Sequence, residues 1–306
     1  MNFSWGRIIS NSLKARPHTG KVLVVCSSTH VNWEELNEIF PATDKTRVVD
    51  DLQEAIDLCT SDEDDVIFVV NGHTETITAA AGINANKTGI TIIGLGSGRN
   101  RPTINFTTAT TADFEIDNAY VTIENFVFDM TGFDGIVAGI DVDATDFTLR
   151  NCEIIHADAD GQAVVGILTD ANASRMKLEN VKFTGSKDAG TTSAVRIVGG
   201  NDHVFRKVFA LGYYKSTAGV IEVTTTPAGL LVEDCILVNR NSPALCGINM
   251  IRSSSLVIVG SRVGMNNAST TPIRINETGT YVGQGFIVEG GNYYSSVSSF
   301  AAGTLF

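Results

Sequence analysis

The sequence predicts an all-β protein: a single-stranded right-handed parallel β-helix, or solenoid, of about eight coils with a small α/β N-terminal cap. Three observations predict it. A short strand motif returns at nearly constant spacing, a second alternating segment keeps the same period, and an amphipathic stretch precedes the first repeat.

The motif runs apolar, any, apolar, any, then Asn or a small or polar residue, then a further apolar strand. Its clearest copies are Val121-Thr122-Ile123-Glu124-Asn125-Phe126-Val127-Phe128, Phe147-Thr148-Leu149-Arg150-Asn151-Cys152-Glu153-Ile154 and Met176-Lys177-Leu178-Glu179-Asn180-Val181-Lys182-Phe183. Weaker copies centre on Gly94, Lys207, Asp234, Gly260 and Gly290, giving gaps of 31, 26, 29, 27, 27, 26 and 30 residues. Strand-type alternation at that period means stacked coils. The second segment reads Phe114-Glu115-Ile116, Ile140-Asp141-Val142, Ile167-Leu168-Thr169, Val195-Arg196-Ile197, Ile221-Glu222-Val223, Ile248-Asn249-Met250 and Ile273-Arg274-Ile275. Its outer residues are apolar and its middle one varies, as a strand with one buried face requires. Because the chain always travels the same way round, equivalent strands pair in parallel, and right-handed winding is the expected sense. Eight coils at strand spacing make a rod on the order of 40 Å long. Asn125, Asn151 and Asn180 share one position, where stacked amides can bond along the axis until Lys207 interrupts them.

An open solenoid end exposes core and strand edge, so the first coil needs a cap. Lys21-Val22-Leu23-Val24-Val25 and Val66-Ile67-Phe68-Val69-Val70 read as buried strands, followed by Glu75-Thr76-Ile77. Val48, Val49, Leu52, Ala55, Ile56 and Cys59 carry helical spacing, which makes 48–59 the expected capping helix. The expected organisation is an arm over 1–20, a cap over 21–78, the β-helix over 79–292 and an aromatic C-terminal tail over 293–306.

With 306 residues, 43% of them hydrophobic, the chain can bury one long core. Five cysteines are too few and too odd in number for a disulfide framework; Cys152 and Cys235 share a repeat position three coils apart and read as small buried hydrophobes. No stretch approaches membrane-spanning length, and residues 1–7 lack the apolar core of a secretory signal, so synthesis and folding in a cytoplasm are expected. A net charge of −12 argues against nucleic acid as a partner. The sign is uneven: residues 1–21 hold Arg7, Lys14, Arg16 and Lys21 with no acid, whereas Glu34 to Asp65 hold twelve acids against Lys45 and Arg47.

The strongest chemical constellation is acidic. If Phe114, Ile116, Ile140 and Val142 point inward, Glu115, Asp117, Asp141 and Asp143 point outward from adjacent coils, with Asp170 extending the patch. Such carboxylates can serve as acid, base or nucleophile in glycoside cleavage, hold a cation, meet a basic partner, or simply be solvated. Glu115, Asp141 and Asp143 are the fallback catalytic candidates; no catalytic residue, metal or cofactor is assigned. Gly94-Leu95-Gly96-Ser97-Gly98 has the composition of a phosphate loop but a β-type segment follows it. Asp158-Ala159-Asp160-Gly161 lacks the twelfth-position acid of a calcium loop and reads as a turn. His73 and His156 have no ligand-spaced companions and are expected at turns or the surface. Tyr213-Tyr214, Tyr293-Tyr294 and Phe300 suit sugar stacking, end capping or docking of a neighbour.

Leu52-Gln53-Glu54-Ala55-Ile56-Asp57, Asp65-Val66-Ile67-Phe68-Val69, Asn71-Gly72-His73-Thr74-Glu75-Thr76-Ile77 and Ile90-Thr91-Ile92-Ile93-Gly94 together resemble the cap and first coils of pectin-lyase-like right-handed β-helices. More narrowly, Gly72 to Ile77 followed by Gly94-Leu95-Gly96-Ser97-Gly98-Arg99-Asn100-Arg101-Pro102-Thr103-Ile104-Asn105-Phe106 is similar to short β-helix proteins encoded among tailed-phage structural genes. That resemblance spans residues 20–290 and implies a virion component, favouring a homotrimeric capsid decoration protein on the head surface. Its partners would then be further copies of itself and the major capsid protein or another virion protein. Arm residues Phe3, Trp5, Arg7, Lys14 and Arg16 would anchor it in an acidic or apolar groove. A tailspike or receptor-binding polysaccharide depolymerase, and a tail or baseplate component, remain the alternatives. Against an enzyme, the Asn-Thr-Asp, paired Asp, Gly-His-Gly and Arg-Ile-Lys set of polygalacturonase-like members is missing: His203 lies in Asn201-Asp202-His203-Val204, and Asn276 follows Arg274-Ile275. Pectate-lyase-like members need a basic residue beside their carboxylates, and here Arg196 lies two coils beyond Asp141.

Overall fold

The structure, a computed structural model, describes residues 20–31, 33–39, 47–157, 161–185, 191–215, 220–224, 228–241, 247–250, 256–265, 273–275, 281–284 and 287–289. The arm with Phe3, Trp5, Arg7, Lys14 and Arg16, the tail 293–306, the 158–160 turn and Cys246 lie outside them. Within them the chain forms a parallel β-solenoid of three sheets, here A, B and C, with eleven, nine and eight strands. Every strand pairing between coils is parallel.

The sequence motif turns out to span two sheets. Its first half forms sheet A (Thr122–Glu124, Thr148–Arg150, Lys177–Glu179) and its second half forms sheet B (Val127–Asp129, Glu153–Ala157, Lys182–Gly185). The second alternating segment forms sheet C in the expected register, Ile140 beside Phe114 and Ile167 beside Ile140. Apolar residues at alternate positions from all three sheets fill a continuous core that runs from Leu23 to Val263. Phenylalanines occupy much of it, Phe114 meeting Phe128 edge-on at 5.8 Å.

The A–B corner explains the recurring asparagine. Asn125, Asn151, Asn180, Lys207, Asp234 and Gly260 all adopt positive φ, between 53° and 66°. Asn, Asp and Gly tolerate that left-handed conformation best, so the backbone selects them. Amide stacking is secondary: Asn180 Nδ2 donates to Asn151 Oδ1 at 2.8 Å, while Asn125 donates to the Gly94 and Gly96 carbonyls and Asn151 to Glu124. In the first coil a Cβ on Gly94 would stand 2.4 Å from the Asn125 carbonyl oxygen, which explains a glycine there. The last coil departs from the predicted spacing. Tyr281–Gln284 pairs with Leu256–Val259 in sheet A and Ile287–Glu289 with Arg262–Gly264 in sheet B, so its corner precedes Ile287 instead of falling at Gly290. In register, Tyr281 and Gly283 align with Leu256 and Ile258, and a glycine in place of an aliphatic residue hides the pattern.

The capping helix is shorter than its periodicity suggests. Val48–Val49 is a strand beside Val24 and Val25, and the helix, α2, covers only Leu52–Leu58. Asp51 sets that boundary, its carboxylate accepting from the Glu54 amide at 2.7 Å. Leu52, Ala55 and Ile56 then bury against the first coil. A further helix, α1 at Trp33–Ile39, was not legible in the sequence. Leu36 from it joins Val24, Val48, Val66, Phe68, Val70 and Leu95 in a second core on the outer face of sheet A. Val66–Val69 is thus covered on both faces, which accounts for its unbroken apolar run. No helix among the described residues is long and apolar enough to cross a membrane.

Candidate functional site

Sheet C carries the acidic face. Phe114 and Ile116 point inward, leaving Glu115 outward; on the next coil Ile140 and Val142 do the same for Asp141. Asn84 stands below Glu115 in the same column, because Ile83 pairs with Phe114. Just past each strand a second column rises through Asp117, Asp143 and Asp170; the Asp143 amide donates to the Ile116 carbonyl and the Asp170 amide to the Val142 carbonyl. Carboxylate oxygens of Glu115, Asp117 and Asp143 come within 4.8 Å of one another. The acids expected outward are therefore brought together, and Asp170 reaches them electrostatically.

Sequence reasoning missed Asn84 and Asp113. The Asn84 amide donates to Glu115 Oε2 at 3.1 Å and Asp117 Oδ2 at 2.7 Å, which ties the bottom of the patch together. Its signal was present: Ile83-Asn84 repeats the apolar-polar step of Phe114-Glu115 one coil earlier. Asp113 enters from the loop before Phe114 and accepts from the Ala81 amide at 2.6 Å.

Burial and crowding make several of these acids hold their protons more tightly. Burial first, then the carboxyl groups of Asp117 and Asp113 alongside, pushes the Glu115 carboxyl up to about 7. Burial followed by Asp143 and Asp113 pushes Asp141 up to about 6. Asp113 and Asp143 are raised as well, again chiefly by burial. Near neutral pH Glu115 is therefore poised close to half-protonation, an arrangement able to donate and accept a proton. Glu115, Asp117 and Asp143 offer only carboxylate oxygens, the donor set of a hard divalent cation, and a retained proton answers the same repulsion.

The basic partner that lyase chemistry would need is directed elsewhere. Leu168 separates Asp141 from Arg196 along the column, and Arg196 Nε bonds Glu222 Oε2 at 2.6 Å on the coil above. His203 is buried, its Nε2 3.0 Å from the Gly199 carbonyl, and takes no part in the patch.

Neither His73 nor His156 lies at the surface; His73 closes the turn through Asn71 and Gly72, its amide donating to the Val70 carbonyl at 3.2 Å, whereas His156 lies within a strand, and both are buried. His73 Nε2 lies 2.6 Å from Glu75 Oε1, which also accepts from the Leu52 amide and so joins sheet B to the start of α2. His156 points into the core because the Glu153–Ala157 strand alternates it with outward Glu153 and Ile155. The described cysteines are buried free thiols, and burial pushes Cys59 and Cys152 up to about 12. Gly98–Asn100 is a single short 3-10 turn, too brief to make the glycine-rich loop an anion site.

No protein-family model matches the chain, and no curated protein matches it. Among solved structures it is similar to ORF18 of Geobacillus virus E2, with a TM-score of 0.46 and 14% identity, covering 80% of this chain and 54% of that one. It thus spans about half the length of that protein. It is also similar to an alginate lyase from Paenibacillus sp. str. FPU-7, with a TM-score of 0.42 and 13% identity, covering 80% of this chain and 95% of that one. These are distant likenesses of outline, and it is the chain's own parallel strand pairing that makes it a β-solenoid.

Proposed function

We propose that this chain is a structural virion protein of a tailed phage: a homotrimeric capsid decoration protein that grips the head surface through its N-terminal arm and works by binding alone. The observation that carries this reading is where the rod spends its charged side chains. Arg101, from two coils below, and Lys182, from the coil above, both hold Glu153 at 2.7 Å. Arg175–Asp146, Arg196–Glu222 and Arg206–Glu233 each bridge one coil to the next. Such links stiffen a scaffold, and they leave Arg196 unavailable to the acidic patch. The arm's cations complement an acidic surface, with Phe3 and Trp5 as apolar anchors.

Cryo-electron microscopy of intact particles tests the location. Density for the rod on the capsid supports the reading; density on the tail or baseplate replaces it with the tail-component alternative. Deleting residues 1–20 should leave the rod folded and abolish attachment, and unimpaired attachment would remove the arm from the mechanism. One observation favours a second reading, a polysaccharide depolymerase: Glu115 and Asp141 sit together and have raised pKa values, as a proton-transfer pair requires. Release of reducing ends or unsaturated sugars from bacterial surface polysaccharide, abolished by Asp141→Asn, would establish that reading in place of the first.

A further inference from the structure

At one end of the rod a segment outside the coils covers apolar residues on an outward sheet face. There the outer face of sheet A carries Val66 and Phe68, and Trp33 and Leu36 of α1 pack over it. Beyond α1 those two columns turn polar, at Thr122 and Glu124. Every strand of sheet A from Thr122–Glu124 to Ala228–Glu233 then keeps a charged residue outward, Arg206 and Glu233 among them.

Sheet B departs from that habit higher up. Its lower strands each turn a polar residue outward: Thr103, Asp129, Glu153 and Lys182 in turn. The next two turn out none, presenting Phe209 with Leu211 and then Ile236 with Val238. Phe209 and Ile236 are register neighbours, each 37% exposed. A contiguous apolar face on an otherwise charged rod marks a surface that something covers.

Position, length and charge select the occupant. The last described strand, Ile287–Glu289, lies on the same sheet, with Arg262–Met265 between it and the Ile236 strand. Phe209 is therefore three strand spacings from Ile287, about 14 Å along the axis. Residues 290–306 follow that strand and lie outside the described residues. A segment of that length reaches about 25 Å as a helix and about twice as far extended, so it can span the face in either conformation. Tyr293, Tyr294, Val297, Phe300, Leu305 and Phe306 give it apolar side chains among serines, and it has no charged side chain. The face calls for none, since Lys182 at its lower border is held by Glu153, and Lys207 at the A–B corner is followed by Asp234 on the next coil. An uncharged segment crosses exposed Arg262 and lies between Lys182 and Lys207 without confronting a like charge.

We propose that residues 290–306 fold back along sheet B as a strap over Phe209, Leu211, Ile236 and Val238, as α1 covers Val66 and Phe68 at the other end of the rod. The strap closes the apolar face within one molecule and ties the last coil to those below. It does not depend on what the rod attaches to, so its test is separate from that of the virion reading. Chymotrypsin digestion of the full-length chain, read by mass spectrometry, provides that test, because Tyr293 and Tyr294 are cleavage sites that a docked strap withholds. Cleavage there should be about tenfold slower in the parent than in Phe209→Glu combined with Ile236→Glu. Val297→Ser combined with Phe300→Ser should speed it by a similar factor without touching the rod, which guards against a rod variant that misfolds; circular dichroism checks both. Equal rates in the parent and both variants would overturn the proposal, whether the sites are cut at once or withheld throughout. An effect confined to the Val297 and Phe300 variant would place the segment on another surface and overturn it too. So would protection that fades on dilution, since a second copy would then supply the cover.

Discussion

Replacing His156 with Phe should stabilise the protein and flatten part of its acid sensitivity. The imidazole is 0% exposed, stacked on Tyr214 with centroids 5.2 Å apart and edge-on to Phe183 at 6.4 Å. Neither ring nitrogen has a hydrogen-bond partner of good geometry. Burial therefore pushes the imidazole pKa down to about 4, opposed weakly by the nearby Ile154 backbone. A histidine that binds its proton less readily folded than unfolded contributes stability above its ordinary value of 6.5, lost as pH falls from there towards 4. Across the whole window that loss amounts to about 3 kcal/mol. Phenylalanine keeps the ring stack, strands no nitrogen and does not titrate. At pH 7 the variant should gain about 1 kcal/mol, and its advantage over the parent should widen by about 2–3 kcal/mol at pH 4.5. Urea midpoints for both proteins at the two pH values provide the comparison, and subtracting one protein from the other cancels the carboxylates they share. An advantage that does not grow at low pH would refute the reasoning.

The acidic patch should behave in the opposite sense. Glu115 and Asp141 hold protons more tightly folded than unfolded, so the stability they contribute is present below pH 4 and lost as pH rises towards 7; Glu115→Gln with Asp141→Asn should flatten the melting temperature between pH 5 and 7, and an unchanged slope would count against the crowding. Asn151 sits at φ 55°, so Asn151→Val should cost about 1–2 kcal/mol in denaturant midpoint while Asn151→Gly costs a few tenths. Equal losses would show that the amide, and not the backbone, selects asparagine there. Arg196→Ala leaves the 7% exposed Glu222 without its cation and should cost about 2 kcal/mol, most of it recovered by adding Glu222→Gln. A Cβ at Gly185 would stand 2.5 Å from His156 Nε2, so Gly185→Ala should lower the melting temperature in the parent and much less in a His156→Ala background.

Periodicity made the coil legible because a solenoid writes each turn of tertiary structure into local sequence. Sheet C could be read strand by strand, and with it the outward direction of Glu115, Asp117, Asp141 and Asp143. Asn84 escaped notice because its strand is only Ile83–Asn84, too short to show alternation. The spacing of Val48 and Val49 from Leu52 fits both the helical and the strand period; the Asp51 cap and pairing with Val24 and Val25 decide for the strand. A lone histidine carries no sign of what stacks on it, and Tyr214 approaches His156 from just past the end of a strand two coils away.

The sequence by itself determined that this chain winds and which residues face the core on most turns, because each of these is a matter of spacing and residue type along the chain; that the recurring asparagine marks a left-handed corner came from the backbone. Only the tertiary structure decided which side chains meet across coils: the clustered acids around Glu115, the Arg196 guanidinium claimed by Glu222 and the unsatisfied imidazole of His156. Those encounters depend on stacking distance and register between residues roughly one coil or more apart in sequence, and no local pattern encodes them.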